Sequence, residues 1–346
     1  MPLPHLGVVV VTFNAADVIL DCLESLLAAT GVVLQIVIVD NASTDGTVVL
    51  LQNWAMGQHP YRTPRDIPFK LVPCLKPIAL NDEGASTSKG RHQVILIEAG
   101  INGGFAAGVN RGLSCLARMS EVDRFWVLNP DSVVPPETPA AFAKMPAPEG
   151  GFALMGGRVL YLDGTETIQI DGGTINWHTG VTSNINLGRP HATTQPPILT
   201  EIEFVTGASL VASREFYHTA GPMKDDYFLY YEEVDWSLRR GPLPLIYCPR
   251  GVVYHRAGTA IGSPTLGRPA SIFSLYFKHR GRLRFMRRFC RRGLPGAYAY
   301  SLAKATQLLF KGYPAEAWTV LVASLDGPPP KTVLKRLSPD AVKIVS

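Results

Sequence analysis

The acidic side chains that follow apolar runs are the groups in this chain best placed to do chemistry. Phe125–Leu128 reads as a buried strand and stops at Asn129-Pro130, where proline removes a backbone donor; Asp131 follows. Asp40 comes straight after a second such run, Leu34–Val39, and His255 after a third, Val252–Tyr254. A denser cluster spans Asp225 to Trp236, where Asp225, Asp226, Glu232, Glu233 and Asp235 alternate with aromatic residues. In open α/β sheets ligands bind at the carboxyl ends of the strands, so these groups belong at one edge. A divalent cation held there by Asp131 and an imidazole would neutralise a diphosphate leaving group. Asp40 is placed to accept hydrogen bonds from a ribose or a base. One carboxylate of the 232–235 group could take a proton from an attacking hydroxyl, helped by the pKa rise that crowded carboxylates impose on one another. On a helix Glu232 and Asp235 share a face and Glu233 points away from both.

Each group also has a plain structural reading. Asp131 could be a turn residue bonded to its own backbone, and Asp40 a helix cap. The acids at 225–235 could be a solvated helix start, and His255 a satisfied strand-end histidine. The aromatics among the acids argue against a purely solvated surface; they could stack on a sugar or fill core.

The elements that must position these groups are legible as patterns. Residues 6–12 and 34–39 are β-branched runs of the kind buried on both faces of a parallel sheet, and Val94–Ile97 repeats the pattern. Helical spacing of apolar residues occupies 16–29, and Ser43, Thr44 or Asp45 could cap a helix running to about Trp54. Asn102-Gly103-Gly104 allows a tight turn and close backbone approach to a ligand, with a helix from Phe105 to about Arg118. Neither GxGxxG nor GxxxxGK[ST] occurs. This β-α-β-α rhythm predicts a parallel sheet with right-handed crossovers. Residues 57–93, punctuated by prolines, read as an inserted mobile loop with one possible strand at Phe69–Val72.

Beyond residue 150 the pattern changes. A strand over 156–163 meets an Asp163-Gly164 hairpin turn, and 168–200 suggests loops and short antiparallel strands. A buried strand is expected over 204–211, a helix near 214–219, strands at 245–248 and 252–254, and a Gly-rich lid over 257–267. A basic helix over 273–292 carries aromatics between its arginines, and two more helices are expected at 297–311 and 314–325. No internal repeat is visible.

Composition bounds the reading. A chain of 346 residues with 46% hydrophobic and 18% charged residues is globular, and its net charge of +5 is modest. The five cysteines form no CxxC pair, which argues against a zinc site or a disulfide framework and suits a reducing cytoplasm. Neither a signal peptide nor a run of ~20 apolar residues appears, so the expected location is cytoplasmic, at most peripheral on the inner face of the membrane. Nucleic acid is a poor partner, because no recognition motif accompanies the charge.

Taken in order, Val10–Asn14, Val39–Thr47, Asn102–Asn110, Leu128–Ser132, Phe204–Ala208, Phe228–Asp235 and Val253–His255 resemble the family 2 glycosyltransferases, and within them the rhamnosyltransferase-like branch. The resemblance covers about residues 6–292 and implies an inverting enzyme of GT-A fold. That fold is α/β, with a Rossmann-like, mostly parallel nucleotide-binding sheet and a smaller mixed acceptor-side sheet, followed here by C-terminal helices. It implies a catalytic domain over 1–268, divided into a nucleotide-sugar half (1–132) and an acceptor half (133–268), then a basic helical region over 269–346.

The implied donor is a nucleotide-diphospho-sugar, with dTDP- or UDP-linked rhamnose or another deoxyhexose favoured. The implied acceptor is a hydroxyl of a glycan or polyprenyl-diphosphate-linked molecule, in cell-surface polysaccharide synthesis. The implied cofactor is Mg²⁺ or Mn²⁺ on Asp131 and His255, Asn129-Pro130-Asp131 standing where the family has DxD. The donor nucleotide falls to Thr12, Phe13, Asn14, Asp40, Asn41, Asn102, Gly103, Gly104, Phe105, Asn110 and Asn129. Gly207, Asp226 and Trp236 face the acceptor. Glu233 is the implied base, with Glu232 and Asp235 beside it; this chain has Glu233 where the family usually has Asp. Lipid-linked acceptors sit at anionic membranes, and Lys278–Arg292 would be the interfacial helix. The rival from another class is a non-catalytic nucleotide-sugar or glycan-binding module on the same scaffold. A nucleotidyltransferase would need a Gly-rich loop tipped with Lys or Arg after the first strand, and none is present.

Overall fold

The computed structural model describes residues 2–83, 92–163, 166–256 and 270–345. The expected lid over 257–267 lies outside these residues, as does part of the 57–93 insert. The first half alternates strand and helix: β1 (His5–Thr12), α1 (Ile19–Leu27), β2 (Val33–Asp40), α2 (Thr47–Ala55), β3 (Leu80–Asn81), β4 (Gln93–Glu98), α3 (Phe105–Ala117) and β5 (Arg124–Leu128). Next come β6 (Ser132–Val133), α4 (Thr138–Lys144), β7 (Leu154–Tyr161), β8 (Ile168–Ile170), β9 (Gly173–Asn176), β10 (Val181–Asn184), β11 (Ser209–Ser213) and α5 (Arg214–Ala220). The chain continues through α6 (Glu232–Leu238), β12 (Ile246–His255) and the helices α7 (Ile272–Phe289), α8 (Leu294–Phe310), α9 (Pro314–Ser324), α10 (Lys331–Leu334) and α11 (Pro339–Val345).

One ten-stranded sheet runs β3-β4-β2-β1-β5-β11-β7-β12-β6, with β8 on β7. β1 pairs in parallel with β2 and β5, and β2 with β4. Both faces of this part are covered, which is why its sequence reads as continuous apolar runs. Val8 and Val10 pack with α1 and α2, while Val9 and Val11 pack with α3. β11 is antiparallel to both β5 and β7, and β12 runs parallel to β7. The carboxyl ends of β1, β2, β5 and β12 therefore meet at one edge, together with the amino end of β11. The smaller mixed acceptor-side part is continuous with the main sheet, built from β11, β7, β12 and β6, and among the described residues β9–β10 form a second, two-stranded sheet.

Three local expectations also change. The strand placed over 204–211 starts only at Ser209, because Phe204 bridges to Gly173. The strands at 245–248 and 252–254 are one strand, β12, irregular between Tyr247 and Val252. Phe69–Val72 forms no strand, yet the insert is docked rather than mobile in its described part. Ile67 and Leu71 are buried against Val133 and Leu162. Glu24, on α1, accepts from Trp54 Nε1 at 2.8 Å, Cys74 N at 2.7 Å and Lys76 Nζ at 2.8 Å, so a single buried carboxylate ties the insert to α1 and α2. Glu24→Ala strands these donors and is expected to cost about 3 kcal/mol, read as a lowered midpoint in urea.

The basic helix α7 is inserted rather than laid on the surface. Arg280, Arg284 and Arg287 all pair with Asp326, and Arg288 pairs with Asp226 and Asp235. Buried Arg282 donates to the Thr179 and Ala297 carbonyls. The expectation that Lys278–Arg292 forms the lipid-facing helix is thus corrected: most of its arginines are spent inside the protein.

Candidate active site

The β1 and β2 ends are braced against each other. The Asp40 carboxylate is buried and accepts from Thr12 Oγ1 at 2.9 Å, Ser43 N at 2.9 Å and Ser43 Oγ at 2.5 Å. It shapes the loop that follows it rather than capping α2, whose first turn is held by Asp45 through Thr47 N. Asn14, exposed at φ 52°, donates its N–H to Ser43 Oγ and accepts from Thr44 N. Phe13 stands half-buried between these loops. Asn41 reaches the next loop, donating to the Gly104 carbonyl at 2.9 Å.

The Asn102-Gly103-Gly104 turn is locked from inside and outside. Asn102 Oδ1 accepts from Gly104 N at 3.0 Å, and Phe105 N donates to the Phe228 carbonyl at 2.9 Å. Gly104 has φ 87°, and a Cβ built on it would lie 2.3 Å from that same carbonyl oxygen. Only glycine fits there. The partner segment is strained in turn: Phe228, Tyr230 and Tyr231 have φ of 65°, 67° and 74°. Left-handed backbone at bulky residues costs of order 1–3 kcal/mol each and persists only where the surroundings enforce it. Here Tyr231 Oη donates to the Gly180 carbonyl, Tyr230 Oη bonds Ser274 Oγ, and Gly281 of α7 leaves room for the Tyr230 carbonyl.

That strained segment delivers the first turn of α6 to the sheet edge. Glu233 is half-buried and faces the space above Gly207, where an added Cβ would sit 3.7 Å from Glu233 Cβ and 3.4 Å from the Phe105 ring. Burial lifts the Glu233 pKa above the usual glutamate range, opposed by backbone N–H groups and by Lys278. Lys278 reaches solvent, yet lost hydration pulls its pKa below the usual lysine range, and the Glu233 charge works against that shift. Glu232 is buried with Oε2 unpartnered, and burial plus the Glu233 charge hold its pKa well above the ordinary range.

Other expected site residues are placed in structural roles. Asp235 is fully buried and accepts from Tyr227 Oη, Arg239 Nε and Arg288 NH1, which leaves it nothing to do as a base. Trp236 is corrected in the same way: it is fully buried against Phe216 and donates to the Gly221 carbonyl, so no acceptor can reach it. Asn110 clamps the backbone of Met223 from both sides and does not face the donor edge. Asp226 is exposed and paired with Arg288.

At the β5 and β12 ends Asp131 Oδ1 lies 3.1 Å from His255 Nε2, and Asn129 Nδ2 lies 3.2 Å from the same nitrogen. His255 Nδ1 lies 2.8 Å from Gln169 Oε1, an acceptor, which orients the ring and turns Nε2 toward Asp131. Adjacent ligands on an octahedral Mg²⁺ or Mn²⁺ stand about 3 Å apart, so the pair fits one edge of such a cation. Among the described residues no group of three or more His, Cys, Asp or Glu converges, so the remaining positions would fall to phosphate oxygens and water. Gln169 was not singled out by sequence; its only signal is a polar residue between Ile168 and Ile170, both buried. Gln169→Leu is expected to weaken Mn²⁺ affinity about 10–100-fold, measured by Mn²⁺ titration calorimetry in the presence of nucleoside diphosphate.

Comparisons with known proteins bear on the fold. No curated protein matches the chain. Residues 7–66, which contain most of β1 and all of α1, β2 and α2, match the family model Glycosyl transferase family 2. The fold is similar to that of the mannosyltransferase PcManGT from Pyrobaculum calidifontis, solved with GDP-Man and Mn²⁺; the TM-score is 0.50 at 16% identity, over 94% of this chain and 88% of that one. It is also similar to GalNAc-T7 with UDP, GalNAc and Mn²⁺, with a TM-score of 0.50 at 13% identity over 83% of this chain and 48% of that one. The chain thus carries a stretch matching Glycosyl transferase family 2 within a mixed α/β fold of the GT-A kind.

Proposed function

We propose that this chain is an inverting, metal-dependent glycosyltransferase. The observation that carries the reading is the shared edge: the Asp131–His255 pair ends β5 and β12, while accessible Glu233 faces Gly207 just before β11. The donor is a nucleotide-diphospho-sugar, favoured as a dTDP- or UDP-deoxyhexose such as rhamnose by the motif resemblance. The acceptor is a hydroxyl of a glycan or polyprenyl-diphosphate-linked molecule, met at the cytoplasmic side of cell-surface polysaccharide synthesis. Residues 1–132 hold the donor and 133–268 face the acceptor. Mn²⁺ in the two neighbours and the Asp131–His255 edge support a divalent cation here.

In this reading the loops around Thr12–Asn14, Asp40–Asn41 and Asn102–Phe105 hold the nucleotide, rigid because each is bonded to the next. Asp131 and His255 would hold the cation, which when bound neutralises charge on the departing diphosphate. Glu233 takes the proton of the acceptor hydroxyl. The hydroxyl oxygen forms a bond to the sugar C1 as the C1–O bond to diphosphate breaks, and the electron pair leaves with the diphosphate. Attack from the opposite face inverts C1. The raised Glu233 pKa makes its carboxylate a stronger base.

A panel of UDP-, GDP- and dTDP-sugars tests the assignment. Nucleoside diphosphate release from one donor, dependent on Mg²⁺ or Mn²⁺, is expected. Donor binding without release from any of them would make the chain a non-catalytic module.

A further inference from the structure

The outward side of α8 is mostly apolar, with Thr306 its polar member. At 100° per residue Pro295, Ala299, Leu302, Thr306, Leu309 and Phe310 lie opposite the buried stripe of Ala297, Ser301, Ala305 and Leu308. Leu302, Leu309 and Phe310 are 61%, 54% and 89% exposed. The next helix, α9, packs on α8 through the Ser324–Ser301 hydroxyl bond of 2.7 Å, and Trp318 on it and Leu325 just past its end are 65% and 73% exposed. Large apolar side chains gathered in this way mark an interaction surface.

The charges around the patch identify what it meets. Residues 294–310 contain no Asp or Glu, and exposed Arg291, Arg292 and Lys311 stand at the two ends of α8; of the acids near Trp318 and Leu325, Glu316 is half-buried and Asp326 is paired with Arg280, Arg284 and Arg287. A second copy packed antiparallel on this face would bring the arginines of one helix against the lysine of the other. An anionic lipid surface instead matches both the apolar stripe and its cationic ends, with Trp318 and Phe310 suited to the headgroup boundary. No helix among the described residues is long and apolar enough to cross a membrane, so the contact is one of lying on the surface.

The same helix also leads to the candidate base. Its other flank carries Tyr300, whose ring stacks on His279 at 6.3 Å and lies under Arg282 at 4.6 Å. One turn on, Lys304 stands within electrostatic reach of Lys278, which in turn acts on Glu233.

We propose that the apolar face of α8 and α9 docks the protein on an anionic phospholipid bilayer. This deepens the lipid-linked-acceptor reading and relocates the membrane contact from α7 to α8 and α9. Flotation of the full chain with vesicles of phosphatidylcholine alone, or of equal parts phosphatidylcholine and phosphatidylglycerol, tests it without turnover. Binding is expected to the anionic vesicles and to weaken in high salt. The Leu309→Ser/Phe310→Ser double variant should lower it at least ~10-fold while leaving metal-dependent nucleoside diphosphate release unchanged. Because that variant could fold poorly, brominated lipids supply a second reading on the native chain: they should quench tryptophan fluorescence, and Trp318→Phe should remove that quenching. No flotation with anionic vesicles, undiminished binding by a folded double variant, or a native dimer that the double variant turns into monomer would overturn the proposal. Vesicle binding without any donor turnover would instead leave the docking intact and remove the glycosyltransferase reading.

Discussion

Glu233→Gln is expected to lower kcat by about 10³-fold while donor affinity stays near the native value, the magnitude typical of losing a positioned general base. Glutamine keeps the shape of the side chain and its place above Gly207, so a folding defect would not explain the loss. Equilibrium binding of the nucleoside diphosphate separates the two effects. Glu232→Gln is the matched control: Glu232 is buried away from the space above Gly207 with its pKa pushed well above the ordinary range, so its amide should keep most of the activity. The pH profile adds a second reading. A base works deprotonated, and burial raises the Glu233 pKa above 4.5, so kcat/KM should fall as pH drops through a midpoint above that of an exposed glutamate. Lys278 pulls this pKa down, so Lys278→Ala should move the acid limb to higher pH. An unchanged limb would mean that the titrating group is not Glu233.

Asp131→Ala should remove metal-supported donor binding and reduce transfer by about 10³-fold, since a cation on a diphosphate leaving group contributes several kcal/mol. His255 would remain, oriented by Gln169, but a lone imidazole gives no anionic ligand. The observable is a flat response of activity to added Mn²⁺, with native-like circular dichroism. Undiminished native activity in EDTA would sink the metal assignment whatever the variants do.

What the sequence showed of this arrangement follows from how local each cause is. The buried strands were legible because β-branched runs covered on both faces need no distant partner to be recognised. Asp131, His255 and Asp40 were found because strand ends are set locally. The i, i+3 relation that puts Glu232 and Asp235 on one helix face was also readable, and in the structure both are buried while Glu233 is accessible. What could not be read was the use of that buried face. Asp235 is claimed by Arg239 from the next turn and by Arg288 from a helix far along the chain. Trp236 and Asn110 are likewise decided by backbone carbonyls brought in from elsewhere. The α7 arginines looked like a surface charge because Asp326, which collects three of them, sits beyond two further helices. Gln169 was missed for the same reason: its role depends on His255, distant in sequence.

The central claim is single displacement at a sugar C1 with Glu233 accepting the proton. The most direct test lets water take the acceptor's place. The protein, Mn²⁺ and a turned-over nucleotide-sugar are mixed, and the first sugar released is followed by proton NMR before its anomers equilibrate. The expected initial product has inverted configuration, β from an α-linked donor, and its formation is lost in Glu233→Gln. An initial product of retained configuration, or undiminished release by Glu233→Gln, would contradict it.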